Sequence, residues 1–246
     1  MPKYQVGIKS IVYKIFEILA VRSSNEYFAC SIDAGKYLFK DKKFKVIPNA
    51  IEVEKFKYDV EKQQNMKKIY KLDDCVVIGH VGRFDVQKNH RYLIDVFHEL
   101  KKNSKEKKYV LILIGNGPLE SDIIKQIRNY NLMNDVLIFK DRKDVNELIQ
   151  MFDVFLFPSL FEGLGIAALE AQFASIPTIV SNTTPSEVVV SKNIKFLPIE
   201  DKNIVDWVKE IKVFEKLKKI DNKVFFDNNY NIIHAVKILE KELVER

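Results

Sequence analysis

The chain has 246 residues, enough for one large domain or two small ones, with an ordinary globular composition of 47% hydrophobic and 30% charged residues. It shows no internal repeat, coiled-coil run or low-complexity linker. The net charge of +6 suits a phosphate-bearing ligand or an anionic membrane surface, while lysines scattered over helix faces argue against nucleic acid as a partner.

Taken in order, residues 8 to 21 carry Ile8, Ile11, Val12, Ile15, Ile18 and Leu19 on one broad face, which predicts an amphipathic helix. A short strand is predicted from Tyr27 to Ser31, a helix from Asp33 to Phe39 and a strand from Phe44 to Ile47. The stretch from Lys55 to Leu72 is polar and helical in its second half. The texture changes at Asp74. Val76 to Gly82 is a continuous apolar strand of the kind buried on both faces of a parallel sheet. Helices then alternate with strands. Helices fall at Tyr92–Leu100, Leu119–Tyr130, Val145–Met151 and Ile204–Lys218, and strands at Tyr109–Ile114, Val136–Phe139, Thr178–Ser181 and Ile194–Leu197. A last helix spans Asn231 to Leu243. This alternation predicts an α/β fold with a doubly wound parallel sheet, whose ligands bind at the carboxyl ends of the strands.

Cys30 and Cys75 lie far apart in strand-like runs and read as buried small hydrophobes in a reducing compartment. Neither they nor His80, His90, His98 and His234 have metal-ligand spacing, so no metal site is expected. The apolar run Ser10–Val21 contains Lys14 and Glu17 and falls short of the about 20 apolar residues that a span requires. It is read as neither signal peptide nor membrane helix.

One stretch organises the rest. Asp153 to Pro158 reads as a buried strand, Ser159 to Gly165 as a glycine loop, and Ile166 to Ala171 as the start of a helix. The first N–H groups of such a helix lack internal partners and carry the positive end of its dipole, so strand, loop and helix make an anion site. Gly163 and Gly165 let the backbone of Gly163, Leu164, Gly165 and Ile166 approach a ligand closely. Glu162 and Glu170 bracket that site, and carboxylates beside an anion make sense when the ligand also offers hydroxyls, as a phosphate flanked by sugars does. At the carboxyl end of another strand of the same sheet, Arg83 and Lys88 share a loop and would hold two adjacent phosphates. Gly115-Asn116-Gly117-Pro118-Leu119-Glu120 has Glu120 where a dinucleotide fingerprint needs glycine, so a nicotinamide or flavin enzyme is rejected. Ser159 and Ser186 have no His and Asp companions, which leaves no catalytic triad.

The set Val81-Gly82-Arg83, Lys88-Asn89, Gly115 to Pro118, Phe157-Pro158-Ser159, Phe161 to Gly165 and Glu170-Ala171 resembles the retaining GT-B glycosyltransferases of group 1, also called family 4. Phe28 to Ser31, Val46 to Asn49 and Ser181 to Pro185 resemble the bacterial enzymes of capsule and exopolysaccharide synthesis. The resemblance implies hexosyl transfer with retention from a nucleoside-diphosphate sugar, a UDP-sugar first and a GDP-sugar second, with no cofactor and no metal. It gives Arg83 and Lys88 the diphosphate, Gly163 to Ile166 further diphosphate contacts through their N–H groups, Glu170 the ribose, Glu162 the donor sugar and Arg142 the neighbourhood of the base. It also implies a cytoplasmic protein, peripheral on the inner face of the plasma membrane.

Ser175 stands where the family usually has glycine, and Lys140-Asp141 where a Leu-Gly pair is common. Residues 1–50 read as a remnant of an acceptor-binding domain, 51–220 as the nucleotide-sugar-binding domain and 221–246 as a C-terminal helix. A nucleotide-sugar-binding module, one subunit of a split transferase with a separate acceptor-domain chain, and a non-enzymatic interaction protein therefore remain as alternatives. The expectations are no sugar transfer by this chain alone, Glu162 facing solvent in an open site, and an exposed apolar face made by Ile11, Ile15 and Leu19, or by Ile233, Val236 and Leu239.

Overall fold

The structure, a computed structural model, describes residues 8–30, 32–47, 49–104, 106–217 and 230–244. The chain forms two compact units, one of residues 1–49 with 235–246 and one of residues 50–234.

The first unit holds helix α1 (Ile8–Ser23), strand β1 (Phe28–Ala29), helix α2 (Ile32–Phe39) and strand β2 (Lys45–Val46). The two strands pair in parallel, Phe28 opposite Lys45 and Ala29 opposite Val46. Gly35 on α2 lies so close to the Phe44 ring that a Cβ there would fall 2.1 Å from it, so glycine alone lets the helix rest on that ring. Phe39 meets Phe44 and Tyr27 with ring centroids 5.9 and 5.0 Å away, and the Tyr27 hydroxyl donates to the Val21 carbonyl at 2.6 Å. Val12, Ile15, Phe16, Ile18 and Leu19 on α1 are exposed, as are Ile233 and Val236 on the last helix. Leu239 is half-buried, and the side chain of Ile11 lies outside the described residues.

The second unit runs α3 (Val53–Phe56), α4 (Val60–Ile69), β3 (Cys75–Val81), α5 (His90–Lys102), β4 (Lys108–Ile114), α6 (Glu120–Asn129), β5 (Val136–Phe139), α7 (Val145–Leu148), β6 (Val154–Phe157), α8 (Ile166–Phe173), β7 (Thr178–Ser181), β8 (Ile194–Leu197) and α9 (Ile204–Phe214), and α10 (Ile232–Val244) begins within it. Its six strands lie in the order β5-β4-β3-β6-β7-β8, and every neighbouring pair is parallel. From β3 the chain moves outward through β4 to β5, then returns to β6 on the other side. The order reverses between β3 and β6, and a crevice for ligands opens at the carboxyl ends of strands at such a reversal.

The strand sequences explain why both faces are covered. Successive side chains point to opposite sides of a strand. Val77, Ile112, Ile114, Phe155, Phe157 and Val180 enter one core with α8 and α3, while Ile78, Leu111, Leu113, Val154, Leu156 and Ile179 enter the other with α5, α6 and α9. A strand buried this way has no polar alternation, hence the uninterrupted apolar runs.

Three helices leave for the sheet by the same turn. Lys71 after α4, Asn131 after α6 and Ser175 after α8 are left-handed, with φ of 58°, 57° and 59°. In each case the next N–H reaches back five residues: Leu72 to Lys67, Leu132 to Ile127 and Ile176 to Ala171, at 2.8, 2.9 and 2.9 Å. The residues that follow the turn, Leu72, Leu132 and Ile176, are all buried, which completes the hydrophobic contact of such a cap. The Ser175 position thus has the backbone geometry that glycine serves best.

Some expectations need correction. Val145–Met151 is α-helical only to Leu148 and tightens to a 3-10 turn over Ile149–Met151, and α9 ends at Phe214. Lys218 lies outside the described residues. Cys30 and Cys75 are half-buried rather than buried, because Cys30 follows β1 and Cys75 is the first residue of β3.

Candidate functional site

The loop after β3 is clamped before it reaches its cations. The Gly82 N–H donates to the Ile114 carbonyl at 3.0 Å, the Phe84 N–H to Asn116 at 2.7 Å, and the Leu119 N–H to the Phe84 carbonyl at 3.0 Å. Gly115 and Gly117 make this possible: a Cβ on either would fall 2.0 Å from the Gly82 oxygen or 2.5 Å from the Phe84 oxygen. These glycines do more than close their own turn. They let one loop lie against the backbone on both sides of Arg83. Phe84, fully buried, anchors the segment below. Further on, the Lys88 N–H donates to Asp85 at 3.2 Å, and left-handed Asn89 turns the chain into α5.

The loop after β6 ends at Gly165, which is left-handed at φ 89° and precedes the first residue of α8. A Cβ there would lie 3.2 Å from the Phe157 ring, so both space and conformation select glycine. Leu164 is buried, Ile166 is exposed, and nothing stands within 4 Å of where a Gly163 Cβ would be. That leaves open space at the positive end of α8.

Three bonds tie the two loops across the reversal point. The Leu160 N–H donates to the Gln87 carbonyl at 2.8 Å, Gln87 Nε2 donates to the Phe161 carbonyl at 3.0 Å, and Lys88 Nζ meets Glu162 Oε1 at 2.6 Å. Lys88 Nζ also lies 4.6 Å from the centre of the Phe157 ring. The Lys88 and Glu162 side chains are 16% and 7% exposed, so Glu162 does not face solvent as expected. Its loop folds inward and pairs it with the cation on the neighbouring loop.

The other expected residues are disposed differently. Arg83 is 71% exposed, and among the described residues only a 4.0 Å contact to Asp85 restrains it, so its fork is available at the rim. Arg142 lies beyond the end of β5, the edge strand two places from β3, where it forms a fork-to-fork pair with Asp144 and lies over Phe139. Glu170, one turn into α8, has no side-chain partner among the described residues, and burial alone pushes its pKa up to about 7. The side chain is half-buried, and its oxygens are free of protein partners among the described residues.

The sequence reading gives no role to Gln87 or to a buried pair of histidines beneath Lys88. His80 Nδ1 faces the Leu156 carbonyl at 2.8 Å, so that nitrogen carries the proton, and Nε2 has no partner. His90 packs edge-on against His80 with ring centroids 4.7 Å apart, and neither of its nitrogens has a partner. Burial first, then neighbouring positive charge, holds His80 well below the ordinary imidazole range and lowers His90 to about 4, so both are neutral. Among the described residues no group of three or more His, Cys, Asp or Glu gathers to hold a metal, and no helix is long and apolar enough to cross a membrane.

The sheet thus defines an α/β domain that carries, at the carboxyl ends of its strands, a helix N-terminus, two cations and two carboxylates around the point where strand order reverses. The chain belongs to the glycosyl transferases group 1 family, whose pattern matches residues 61–231. It is 33% identical over 180 residues to the putative glycosyltransferase EpsF of Bacillus subtilis, covering 71% of this chain and 46% of that protein. It is 29% identical over 240 residues to the UDP-Gal:alpha-D-GlcNAc-diphosphoundecaprenol alpha-1,3-galactosyltransferase of Escherichia coli, covering 92% of this chain and 62% of that one. The chain therefore spans about half the length of these curated relatives. Its fold is that of Anabaena Alr3699/HepE, crystallised with UDP and glucose, with a TM-score of 0.76, 18% identity, and coverage of 95% of this chain and 66% of that one.

Proposed function

We propose that this chain is the donor-binding part of a metal-independent retaining glycosyltransferase of surface polysaccharide synthesis, and that its ligand is a UDP-sugar. The observation that carries the reading is the meeting of Lys88 and Glu162 at 2.6 Å across the point where strand order reverses. A diphosphate placed there has Lys88 below it, the Arg83 fork at the rim and the N–H groups of Gly163 to Ile166 on the α8 side. These fixed donors oppose the charge that grows on a departing nucleoside diphosphate, which is the stabilisation such a reaction needs most. Glu162 then faces the hydroxyls of the donor sugar, Glu170 takes the ribose, and Arg142 borders the base.

The acceptor must be held by something else. Among its described residues the first unit offers two strands of two residues each, too little to seat a second substrate and exclude water. Positioning a hydroxyl against the anomeric carbon is worth up to about 7–11 kcal/mol, so the isolated chain is expected to bind donor without transferring sugar. The exposed apolar side chains of α1 support a partner polypeptide for this unit. Residues 1–49 also carry nine Lys and Arg against four Asp and Glu, which supports a peripheral position at an anionic membrane.

Calorimetric titration of the folded chain with UDP, UDP-sugars and GDP-sugars tests the ligand. Heat of binding with a uridine nucleotide is the expected result, and no heat with any of them overturns the reading. A radiolabelled donor with lipid-linked acceptors tests turnover: transfer above a Glu162→Ala control by the chain alone contradicts the need for a partner.

A further inference from the structure

We infer that Gln87 is a positioning residue for nucleotide-sugar binding: it holds the Ser159–Gly165 loop in the register that sets Glu162 against Lys88. The inference rests on the donor-binding reading above and adds a residue to it.

Between the end of β6 and the start of α8 the backbone has no strand or helix to fix it. Its first residue is held on the β7 side, where the Ser159 carbonyl accepts from Ser181 Oγ at 2.6 Å and from Thr183 Oγ1 at 2.8 Å, and the next two residues are held by one residue of the opposite loop. The Gln87 carbonyl accepts from the Leu160 N–H at 2.8 Å, and the Gln87 side-chain amide donates to the Phe161 carbonyl at 3.0 Å. Gln87 thus pairs with two successive residues, as a strand residue pairs with its neighbour, but by means of its side chain for one of the two bonds. The residue after Gln87 is Lys88, and the residue after Phe161 is Glu162. The two-point contact therefore lies immediately before the 2.6 Å ion pair on both strands of chain. Leu160 and Phe161 are 39% and 52% exposed, so little apolar burial secures this part of the loop. The hydrogen bond from the Gln87 amide to Phe161 is then the only side-chain hydrogen bond among the described residues, besides the ion pair itself, between this loop and the loop after β3. A ligand that draws Lys88 from Glu162 breaks the ion pair, and at that moment the loop depends on Gln87 to keep the N–H groups of Gly163 to Ile166 in place.

The substitutions separate geometry from bulk. Gln87→Ala removes the amide and leaves the Leu160 bond. Gln87→Glu keeps the shape but puts an acceptor against the Phe161 carbonyl, beside Glu162. The double change Gln87→Ala with Glu162→Gln asks whether Gln87 acts through Glu162, since coupled residues give non-additive effects. UDP affinity is read by calorimetry, amide hydrogen exchange across residues 159–165 by mass spectrometry, and folding by thermal unfolding. The expected result is weaker UDP binding by about 3- to 10-fold in Gln87→Ala, the range of one lost hydrogen bond, and a larger loss in Gln87→Glu. Exchange across 159–165 rises in both, the melting temperature stays within about 2 °C, and the double variant loses less than the product of the single losses. Unchanged loop exchange, or faster exchange with unchanged UDP affinity, overturns the role of Gln87, as does a melting temperature that falls in step with affinity. Absence of UDP binding in the unsubstituted protein instead overturns the donor reading, and the exchange data then still decide whether Gln87 holds the loop.

Discussion

Two lysine–carboxylate pairs sit at opposite ends of one sheet, and they are built to different standards. At the end where the strands begin, Lys67 meets Asp153 at 2.7 Å. Lys67 also donates to the Cys75 carbonyl at 3.3 Å, and the same Asp153 oxygen accepts the Val77 N–H at 2.8 Å. The pair closes hydrogen bonds that the start of β3 would otherwise lack. At the end where the strands finish, Lys88 and Glu162 are at 2.6 Å, and their charged atoms have no further side-chain or backbone hydrogen-bond partner among the described residues, apart from the Phe157 ring under the ammonium. The first pair is part of the backbone's own hydrogen bonding. The second holds two charges for one another, which is what the proposed ligand would draw on.

Replacing both members of each pair with apolar residues tests that contrast most strongly. Lys67→Met with Asp153→Leu leaves the Val77 N–H and Cys75 carbonyl without partners and is expected to destabilise the fold by about 2–4 kcal/mol in urea denaturation. Lys88→Met with Glu162→Leu is expected to stay within about 1 kcal/mol of the parent, since apolar replacement of a whole buried pair is often neutral. Equal losses at both ends would abolish the distinction.

The next largest effect is on binding. Lys88→Met alone or Arg83→Ala should weaken UDP binding by about 1.5–3 kcal/mol, the worth of hydrogen bonds to a charged group. The same measurement on Lys67→Met should show no specific change in affinity once folding is accounted for. A response at Lys67 as large as at Lys88 would place the ligand elsewhere.

Glu170 gives a pH-dependent version of the comparison. Its carboxyl holds a proton more tightly in the fold than in the unfolded chain, whose value is 4.5, and its folded value is about 7. Raising the pH from 4.5 to 7 therefore penalises the folded state, and the penalty is complete above 7. Glu170→Gln removes it, so the variant should match the parent near pH 4 and exceed it by about 1–3 kcal/mol at pH 8, while binding UDP and UDP-sugar more weakly. Denaturation midpoints at the two pH values check the sign. A variant less stable than the parent at pH 8 would mean that the carboxylate has a structural partner.

The smallest effect lies at the other end again. Lys71 is exposed and left-handed at the close of α4, where glycine avoids the crowding of a Cβ. Lys71→Gly should raise stability by about 0.5–1 kcal/mol, with UDP affinity unchanged.

The sequence reveals the sheet far better than it reveals these pairs. Val136–Phe139, Thr178–Ser181 and Ile194–Leu197 are read to the residue, because each is a short run rich in apolar and β-branched side chains set between polar stretches. The seam between α7 and the 3-10 turn after it is invisible, since both bury the same residues and differ only in hydrogen-bond length. Arg83, Lys88, Glu162 and Glu170 stand out by chemistry and by position after strands. That Glu162 turns inward to Lys88 depends on contacts across 74 residues of sequence, and so does the hold of Gln87 on Phe161. No local pattern encodes either one. Ser175 was legible as a departure from glycine, but its left-handed backbone supplies the reason.

The repeated left-handed exit from α4, α6 and α8 has a consequence for how such a body changes over time. Three of its returns into the sheet are cut to one template, with a fixed turn, a fixed backward bond and a buried anchor three or four residues ahead of the strand or closer. Length changes there would pull a strand out of register and are expected to be purged. The opposite rim has no template: its loops differ in length, glycine placement and charge, and each is secured by contacts of its own. A lineage or a designer can therefore rewrite the rim one loop at a time, while the foundation it stands on stays the same.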